Sequence, residues 1–148
     1  MDSFSYTLTD STGSVSTATV TVNVAAVDDV PVASNDTISA TEDTLFTSTV
    51  SLIANDTDVD VNDSKAVFEL RANDVVGDTL TLVGTAAGKE GLWGRLAVHQ
   101  NGTYTYELNH QHPDVVALLA GQTLQESFSY TVVDGNGLSS LATVNLTI

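Results

Sequence analysis

The sequence contains no cysteine and very few basic residues. Four Lys and Arg stand against nineteen Asp and Glu, which gives a formal net charge of −15 over 148 residues. Nucleic acids and anionic lipid surfaces recruit proteins through Lys and Arg, so we expect neither as a partner. Without cysteine, the fold has neither disulfides nor thiolate ligands for zinc.

Long hydrophobic runs are also missing, although 42% of the residues are hydrophobic. That fraction is enough for a buried core. No apolar run approaches the roughly 20 residues of a transmembrane helix, so we expect no membrane insertion. The first ten residues lack the basic start and apolar centre of a signal peptide. We therefore expect any export signal to lie outside this segment.

Catalytic patterns are missing as well. Nucleophilic hydrolysis needs a Ser or Cys beside a base and an orienting acid, and the three His and scattered Ser show no such grouping. Glycoside hydrolysis needs two carboxylates isolated across a cleft, whereas here the carboxylates are crowded together. We therefore do not expect an enzyme.

Alternation of apolar and polar residues, which is typical of half-buried β-strands, dominates the sequence. It occurs in residues 17–24, 80–82, 96–98, 104–108 and 128–132. Asn101-Gly102 and the Asp-Gly-Asn-Gly stretch at 134–137 favour hairpin turns. Many short strands separated by such turns predict an all-β fold, an antiparallel β-sandwich.

One short helix is predicted in HPDVVALLAG. Pro113 suits the first helical position, Asp114 suits the positive end, and Gly121 can end the helix. Such a helix would cover one end of the sandwich.

An internal repeat predicts the domain organisation. Residues 2–24 align with residues 126–148 without gaps, and eleven of the 23 positions are identical. This indicates a tandem repeat of about 124 residues. We therefore predict a closing hairpin of a preceding repeat (1–27), a junction stiffened by Pro31 (28–31), and one complete repeat (32–148).

The hairpin at residues 2–24 would lack the other strands of its own repeat. A lone two-stranded hairpin is marginal in water, so we expect it to be loosely attached to the rest. It could instead pair with an exposed sheet edge of its own or a neighbouring molecule, giving a weak strand-swapped dimer.

The loop LIANDTDVDVND at residues 52–63 concentrates negative charge. Asp56, Asp58 and Asp60 stand at alternate positions, and no Lys or Arg precedes Lys65. Two carboxylates about 5 Å apart repel by roughly 3 kcal/mol at an effective dielectric near 20, and by less if water surrounds them. A solvated polar turn remains an alternative, since Asp and Asn are common in turns. A row of acids without a counter-charge favours a bound cation.

Several stretches resemble known bacterial repeats. Residues 102–137 and LRANDVVGDTLTLVG (70–84) resemble the VCBS repeat. NDTISATEDT (35–44) and LIANDTDVD (52–60) resemble the related cadherin-like, Ig-like repeats of bacterial RTX-type surface adhesins. The resemblance covers nearly the whole chain.

This resemblance implies an Ig-like (cadherin-like) β-sandwich, one of a string of repeats in a surface adhesin exported by type I secretion. It implies an extracellular location at the cell surface, with neighbouring repeats of the same polypeptide as partners. Many such repeats bind calcium near their junctions, which stiffens the string. Two features depart from the family: Val75-Val76 fills a space that often holds a second Asp, and residues 61–69 fit poorly.

The charge pattern and the resemblance together indicate calcium (Ca²⁺), which takes six to eight oxygens in a flexible arrangement. Nine acids lie between residues 28 and 63. In a sandwich, the junction, the turn at 42–43 and the loop at 55–60 can meet at the N-terminal end. The candidate ligands are Asp28, Asp29, Glu42, Asp43, Asn55, Asp56, Asp58 and Asp60, with Asp36, Asp74 and Asp78 as secondary candidates.

Other metal sites and a sugar platform are less well supported. Val61 and Val67 stand where an EF-hand needs Gly and Glu, and magnesium demands a stricter octahedral geometry. His110 and His112 are expected to be ordinary loop residues. Trp93 could stack on a sugar, but a large aromatic residue beside a strand is more often part of a core.

Two non-enzymatic functions remain. The first is a calcium-stabilised extender repeat of a large secreted adhesin, acting as a rigid spacer in cell adhesion. The second is an adhesive module that itself binds carbohydrate or protein. Repetition favours the spacer, because identical links extend a chain, whereas a ligand site usually occurs once.

Overall fold

The computed structural model describes residues 1–42, 45–48, 50–60, 63–73, 80–82 and 86–148, and the fold is given for these. The strands are β1 (Asp2–Thr9), β2 (Val15–Val22), β3 (Asp36–Ser39), β4 (Phe46–Thr47), β5 (Ala66–Ala72), β6 (Leu80–Thr81), β7 (Ala87–Glu90), β8 (Gly94–Val98), β9 (Tyr104–Leu108), β10 (Gln125–Val133) and β11 (Ser139–Thr147). A turn of 3-10 helix (Leu52–Ala54) follows β4, and a short α-helix, α1 (Pro113–Val116), follows β9.

Two sheets form a sandwich. One has the strand order β3-β11-β10-β5-β6, and the other has the order β4-β9-β8-β7. The described pairs are antiparallel except β3 and β11, which run parallel from the pair Asp36–Val144 to the pair Ser39–Thr147. The predicted all-β sandwich with one short helix is confirmed.

The core lies between the two sheets and follows from the alternation. On β10, every second residue points inward, and Phe128, Tyr130 and Val132 are completely buried. They belong to one apolar cluster with Leu96 of β8 and Tyr106 of β9, from the facing sheet. Each fully buried side chain of this size contributes roughly 1.5–3 kcal/mol relative to an exposed one.

A buried acid closes the end of the sandwich where β10 begins. Glu126 is 4% exposed and accepts a hydrogen bond from the Tyr106 hydroxyl. Its other oxygen accepts the backbone N–H of Leu92 at 2.7 Å. A methyl group at Gly91 would overlap this oxygen, so only glycine fits there. Among the described residues, this acid is therefore a structural hydrogen-bond acceptor.

Helix α1 is shorter than the predicted segment, which extended to Gly121. It begins after His112, whose Nδ1 accepts the N–H of Asp114 at 3.3 Å, and it ends at Ala117. The N–H of Leu119 bonds to the side-chain oxygen of Gln122 instead of continuing the helical ladder, which is how side-chain acceptors compete with helix. No helix among the described residues is long and apolar enough to cross a membrane.

Strands β1 and β2 form a separate two-stranded sheet. Their pairing runs from Asp2–Val22 to Thr9–Val15, and a turn with Gly13 at φ 84° joins them. Every side chain of β1 is exposed, and on β2 only Val20 is partly covered. The hairpin therefore has strand geometry without a core of its own.

Candidate metal centre

Three segments of the chain meet at the end of the sandwich where the junction enters. Val32, the residue directly after the junction, makes two hydrogen bonds with Thr57 of the 56–63 loop, at 2.8 and 3.0 Å. The N–H of Asp29 donates to Asp60 Oδ2 at 2.8 Å, which adds a second fastening. The third segment is the turn at 134–138, which joins β10 to β11. The fold thus brings a linker and two loops together at one end.

Asp134 is a buried acid of this end, at 6% exposure. Its Oδ1 accepts the backbone N–H groups of Asn136, Gly137 and Leu138 at 2.7–2.9 Å. Its Oδ2 is buried and has no hydrogen-bond partner among the described residues. An unpartnered buried carboxylate oxygen is costly, so this atom marks a place where a positively charged group belongs.

Asp63 lies beside Asp134 in a similar state. Its Oδ1 accepts the N–H groups of Ser64 at 2.6 Å and Gly135 at 3.0 Å, while its buried Oδ2 has no described partner. A methyl group on Gly135 would come within 2.5 Å of Asp63 Oδ1. The glycine therefore permits the 134–138 turn to approach the 56–63 loop closely.

Asp28 is the third acid near Asp63 and Asp134, and it is exposed. Its Oδ1 accepts a hydrogen bond from Asn136 Nδ2 at 2.6 Å, which ties the junction to the turn. Asp28, Asp63 and Asp134 each offer a carboxylate oxygen, and these three oxygens lie within 4.8 Å of one another. The described residues give none of these acids an ion pair with Lys, Arg or His. Three carboxylates at this spacing suit a cation bound between them.

Asp58 and Asp60 line the same loop. The N–H of Asp60 donates to Asp58 Oδ1 at 2.8 Å, and the N–H of Asp63 donates to the Asp60 carbonyl at 3.2 Å. Asp58 Oδ2 is buried without a described partner, like the free oxygens of Asp63 and Asp134. Asp58 is therefore a further candidate donor, outside the group formed by Asp28, Asp63 and Asp134.

Two further acids, Asp36 and Asp56, lie around the hydroxyl of Tyr130 and are called the inner pair here. This hydroxyl donates to Asp36 Oδ2 at 2.8 Å, and Asp56 Oδ2 lies 3.5 Å from it. Asp56 is 5% exposed, and its Oδ1 accepts the N–H of Ser34 at 2.7 Å. These contacts connect Ser34, β3, the 56–63 loop and β10.

Burial governs the titration of this inner pair. It raises the pKa of Asp36 and the pKa of Asp56 above the ordinary aspartate value, because the charged form loses water. The hydrogen bonds from the Ser34 N–H and the Tyr130 hydroxyl, and then the charge of Lys65, oppose the rise in the pKa of Asp56. Burial also raises the pKa of the Tyr130 hydroxyl, which therefore stays protonated as a donor. This pair is held by hydrogen bonds to Tyr130 and Ser34.

The sequence-predicted ligands divide into several groups. Asp28 is in the three-carboxylate group, Asp58 and Asp60 lie in its loop, and Asp36 and Asp56 are in the inner pair. Asn55 donates its amide to Asp36 Oδ1 at 3.2 Å, and Asp29 takes part through its backbone N–H. Asp43, Asp74 and Asp78 lie outside the described residues.

The structure does not bring Glu42 to this end. Strand β3 runs parallel to β11 and carries the chain away from the 134–138 turn. Glu42 follows β3 and lines a surface recess with Ala40, Leu119 and Ile148, at the other end of the sandwich.

Two residues of the group were not among the predicted ligands. Asp63 belongs to the acids of residues 28–63, but it falls outside the alternating Asp56–Asp60 row. Asp134 was interpreted only as a turn residue, although the repeat pairs it with Asp10 and it opens the Asp-Gly-Asn-Gly stretch. Its distance of 71 residues from Asp63 hides the contact from any local pattern.

The fold and this acidic end define a class, a β-sandwich module with carboxylates gathered where its linker enters. A model of the bacterial cadherin-like domain family matches residues 28–148, and the chain belongs to this family. Membership indicates an extracellular repeat or adhesion-type module, and cadherin-like domains generally bind calcium. A comparison with curated proteins gave no match.

Proposed function

We propose that the chain is a calcium-stabilised repeat of a large secreted bacterial surface adhesin, in which it acts as a rigid spacer. Calcium binds between Asp28, Asp63 and Asp134 and fastens the junction to the two loops. The observation that carries this proposal is Asp134 Oδ2, a buried oxygen without a described partner in a group of three carboxylates.

The donor chemistry supports calcium over other cations. The candidate donors are carboxylate oxygens, which hard cations prefer. Calcium tolerates irregular arrangements of six to eight oxygens, and the group is irregular because it is built from a linker and two loops. Zinc is disfavoured, since its protein sites commonly use Cys and His, and the group contains neither.

A spacer role is supported by the position of the site. A cation at the entry of the linker restrains the angle between this sandwich and whatever precedes residue 28. Trp93 gives little support to the alternative of a carbohydrate-binding module. Its indole N–H donates to the Gln125 carbonyl at 3.2 Å, and its ring packs edge-on against His112. Resemblance to the VCBS repeat supports a place among type I-secreted RTX adhesins.

Calorimetric titration with calcium tests the proposal, with Asp134→Asn as the main variant. Asparagine keeps the side-chain oxygen that accepts three backbone N–H groups, so the turn survives while the charged, unpartnered oxygen is replaced. We expect the dissociation constant to rise on the order of 100-fold, because the number of charged ligands sets calcium affinity.

Asp10→Asn is the matched control. Asp10 occupies the same position in the hairpin turn and accepts the N–H groups of Thr12 and Ser14 at 2.8 and 2.9 Å, but it is exposed and outside the group. We expect this variant to bind calcium like the unmodified chain. Absence of calcium binding in the unmodified chain, or equal affinities for both variants, would refute the proposed site.

A further inference from the structure

The hairpin of β1 and β2 exposes an apolar face. Phe4 is 57% exposed, Tyr6 46%, and Leu8 61%, and all three lie on one face of β1 because alternate residues share a face. Val20 stands opposite Phe4 and Ala18 opposite Tyr6, so β2 extends the same face. Contiguous exposed apolar surface of this kind marks a site of interaction.

The same face occurs a second time in the chain, where it is covered. At the offset of the internal repeat, Phe4 and Tyr6 correspond to Phe128 and Tyr130, which are completely buried. The pairing is also the same, since Phe128 stands opposite Val144 and Tyr130 opposite Ala142. The two hairpins thus have the same register and an equivalent apolar face. They differ in whether other strands pack against that face.

The described residues show what packs against the covered hairpin. Strand β5 pairs with β10 along one edge, and β3 pairs with β11 along the other. The opposing sheet supplies Leu96 and Tyr106 to the same apolar cluster. A partner for the exposed hairpin therefore needs two free sheet edges around a slot, and an apolar sheet facing that slot.

We propose that the apolar face of the β1–β2 hairpin docks into a half-sandwich of the type formed by residues 28–125, supplied by a preceding unit of the same polypeptide. The proposal is independent of the calcium site. Residue 125 leads directly into the covered hairpin, and by the offset of the repeat the position before Asp2 corresponds to residue 125. A half-sandwich joined to Asp2 on the same polypeptide would therefore meet the hairpin at a high effective concentration.

An extended chain tests the proposal, made by placing a second copy of residues 28–125 directly before Asp2 of the full chain. Amide hydrogen exchange is measured in β1 and β2 of both proteins. In the original chain we expect the hairpin amides to exchange quickly, while those of β10 and β11 are protected. In the extended chain we expect hairpin exchange to slow on the order of 100-fold or more, because docking requires larger openings before exchange.

Two variants of the extended chain test whether the slower exchange comes from docking of the apolar face or from the mere presence of the added segment. Tyr6→Asp places a charge in the slot and should return the hairpin to fast exchange. Thr21→Asp is the control, because Thr21 corresponds to Asn145, which is exposed in the covered hairpin. It should leave the slow exchange intact.

Three results would overturn the proposal. Fast hairpin exchange in the extended chain would show that the half-sandwich does not accept the hairpin. Strong protection in the original chain at all concentrations would show that the hairpin packs on its own sandwich. Protection that grows with concentration, together with a dimer in light scattering, would assign the face to a second copy. Loss of calcium binding would leave these exchange results unchanged, so the two proposals fail separately.

Discussion

A matched pair of substitutions, Phe128→Ala and Phe4→Ala, offers the sharpest test of how the two hairpins differ. The residues are equivalent in the internal repeat and stand opposite Val144 and Val20 in the same register. Phe128 is completely buried, whereas Phe4 is 57% exposed. The same chemical change is therefore made in the same local structure, and only the packing differs.

The magnitudes follow from that difference in burial. Truncating a fully buried Phe removes its transfer free energy and leaves a cavity, so Phe128→Ala should lower the free energy of unfolding by about 3–5 kcal/mol. A domain of this size loses roughly 4 °C in melting temperature per kcal/mol, which gives a loss of about 12–20 °C. Phe4→Ala should change the unfolding free energy of the sandwich by less than about 0.5 kcal/mol.

Urea unfolding followed by tryptophan fluorescence provides the assay. Trp93 is the single tryptophan and lies in the sandwich, so its emission reports unfolding of that part of the chain. We expect the urea midpoint to fall sharply for Phe128→Ala and to stay in place for Phe4→Ala. Similar losses for both variants would refute the reasoning, because they would require the hairpin face to pack into the sandwich.

Three further predictions concern the acidic end. Free calcium at ten times the dissociation constant should add about 1.4 kcal/mol to the stability, so melting in EDTA and in calcium at matched ionic strength should give different temperatures; identical values would contradict this. Gly135→Ala should weaken calcium binding by about tenfold or more in a calorimetric titration, because its methyl group crowds Asp63 Oδ1; an unchanged affinity would show that the close approach is unimportant. Burial raises the pKa of Asp36 from 3.8, so the folded state holds this proton more tightly than the unfolded chain does, and the contribution of Asp36 to stability falls as pH rises from 3.8 through the raised value. Without calcium, the urea midpoint of Asp36→Asn should therefore fall less with rising pH over that interval than the midpoint of the unmodified chain. Equal pH dependence of the two midpoints would contradict the raised pKa of Asp36.

The sandwich could be predicted from the sequence because its main signal is local. Alternation over five to nine residues sets which side chains face inward on β9 and β10, and Gly-containing turns lie directly before β9 and directly after β10. The length of α1 was harder to predict from the sequence, because the Gln122 side chain accepts the Leu119 N–H that a longer helix would use.

The candidate site was only partly predictable, because it depends on strand order. A row of acids at 56–60 indicated a cation, but it could not reveal that Asp134 comes from a turn at the far end of the sequence. Glu42 shows the opposite effect. It is close to the other acids in sequence, yet the parallel pairing of β3 with β11 carries it to the other end of the sandwich.

The parallel pairing of β3 and β11 also determines how the sandwich bears tension. The chain enters this sheet at the start of β3 and leaves it at the end of β11, and these two strands are neighbours. Pulling Val32 and Ile148 apart slides the two strands along each other in opposite directions. The evenly spaced hydrogen bonds of a parallel ladder are then loaded together in shear instead of being unzipped one at a time. Resistance to stretching is thus set by the pairs from Asp36–Val144 to Ser39–Thr147, which lie between the start of β3 and the end of β11, where the tension is applied.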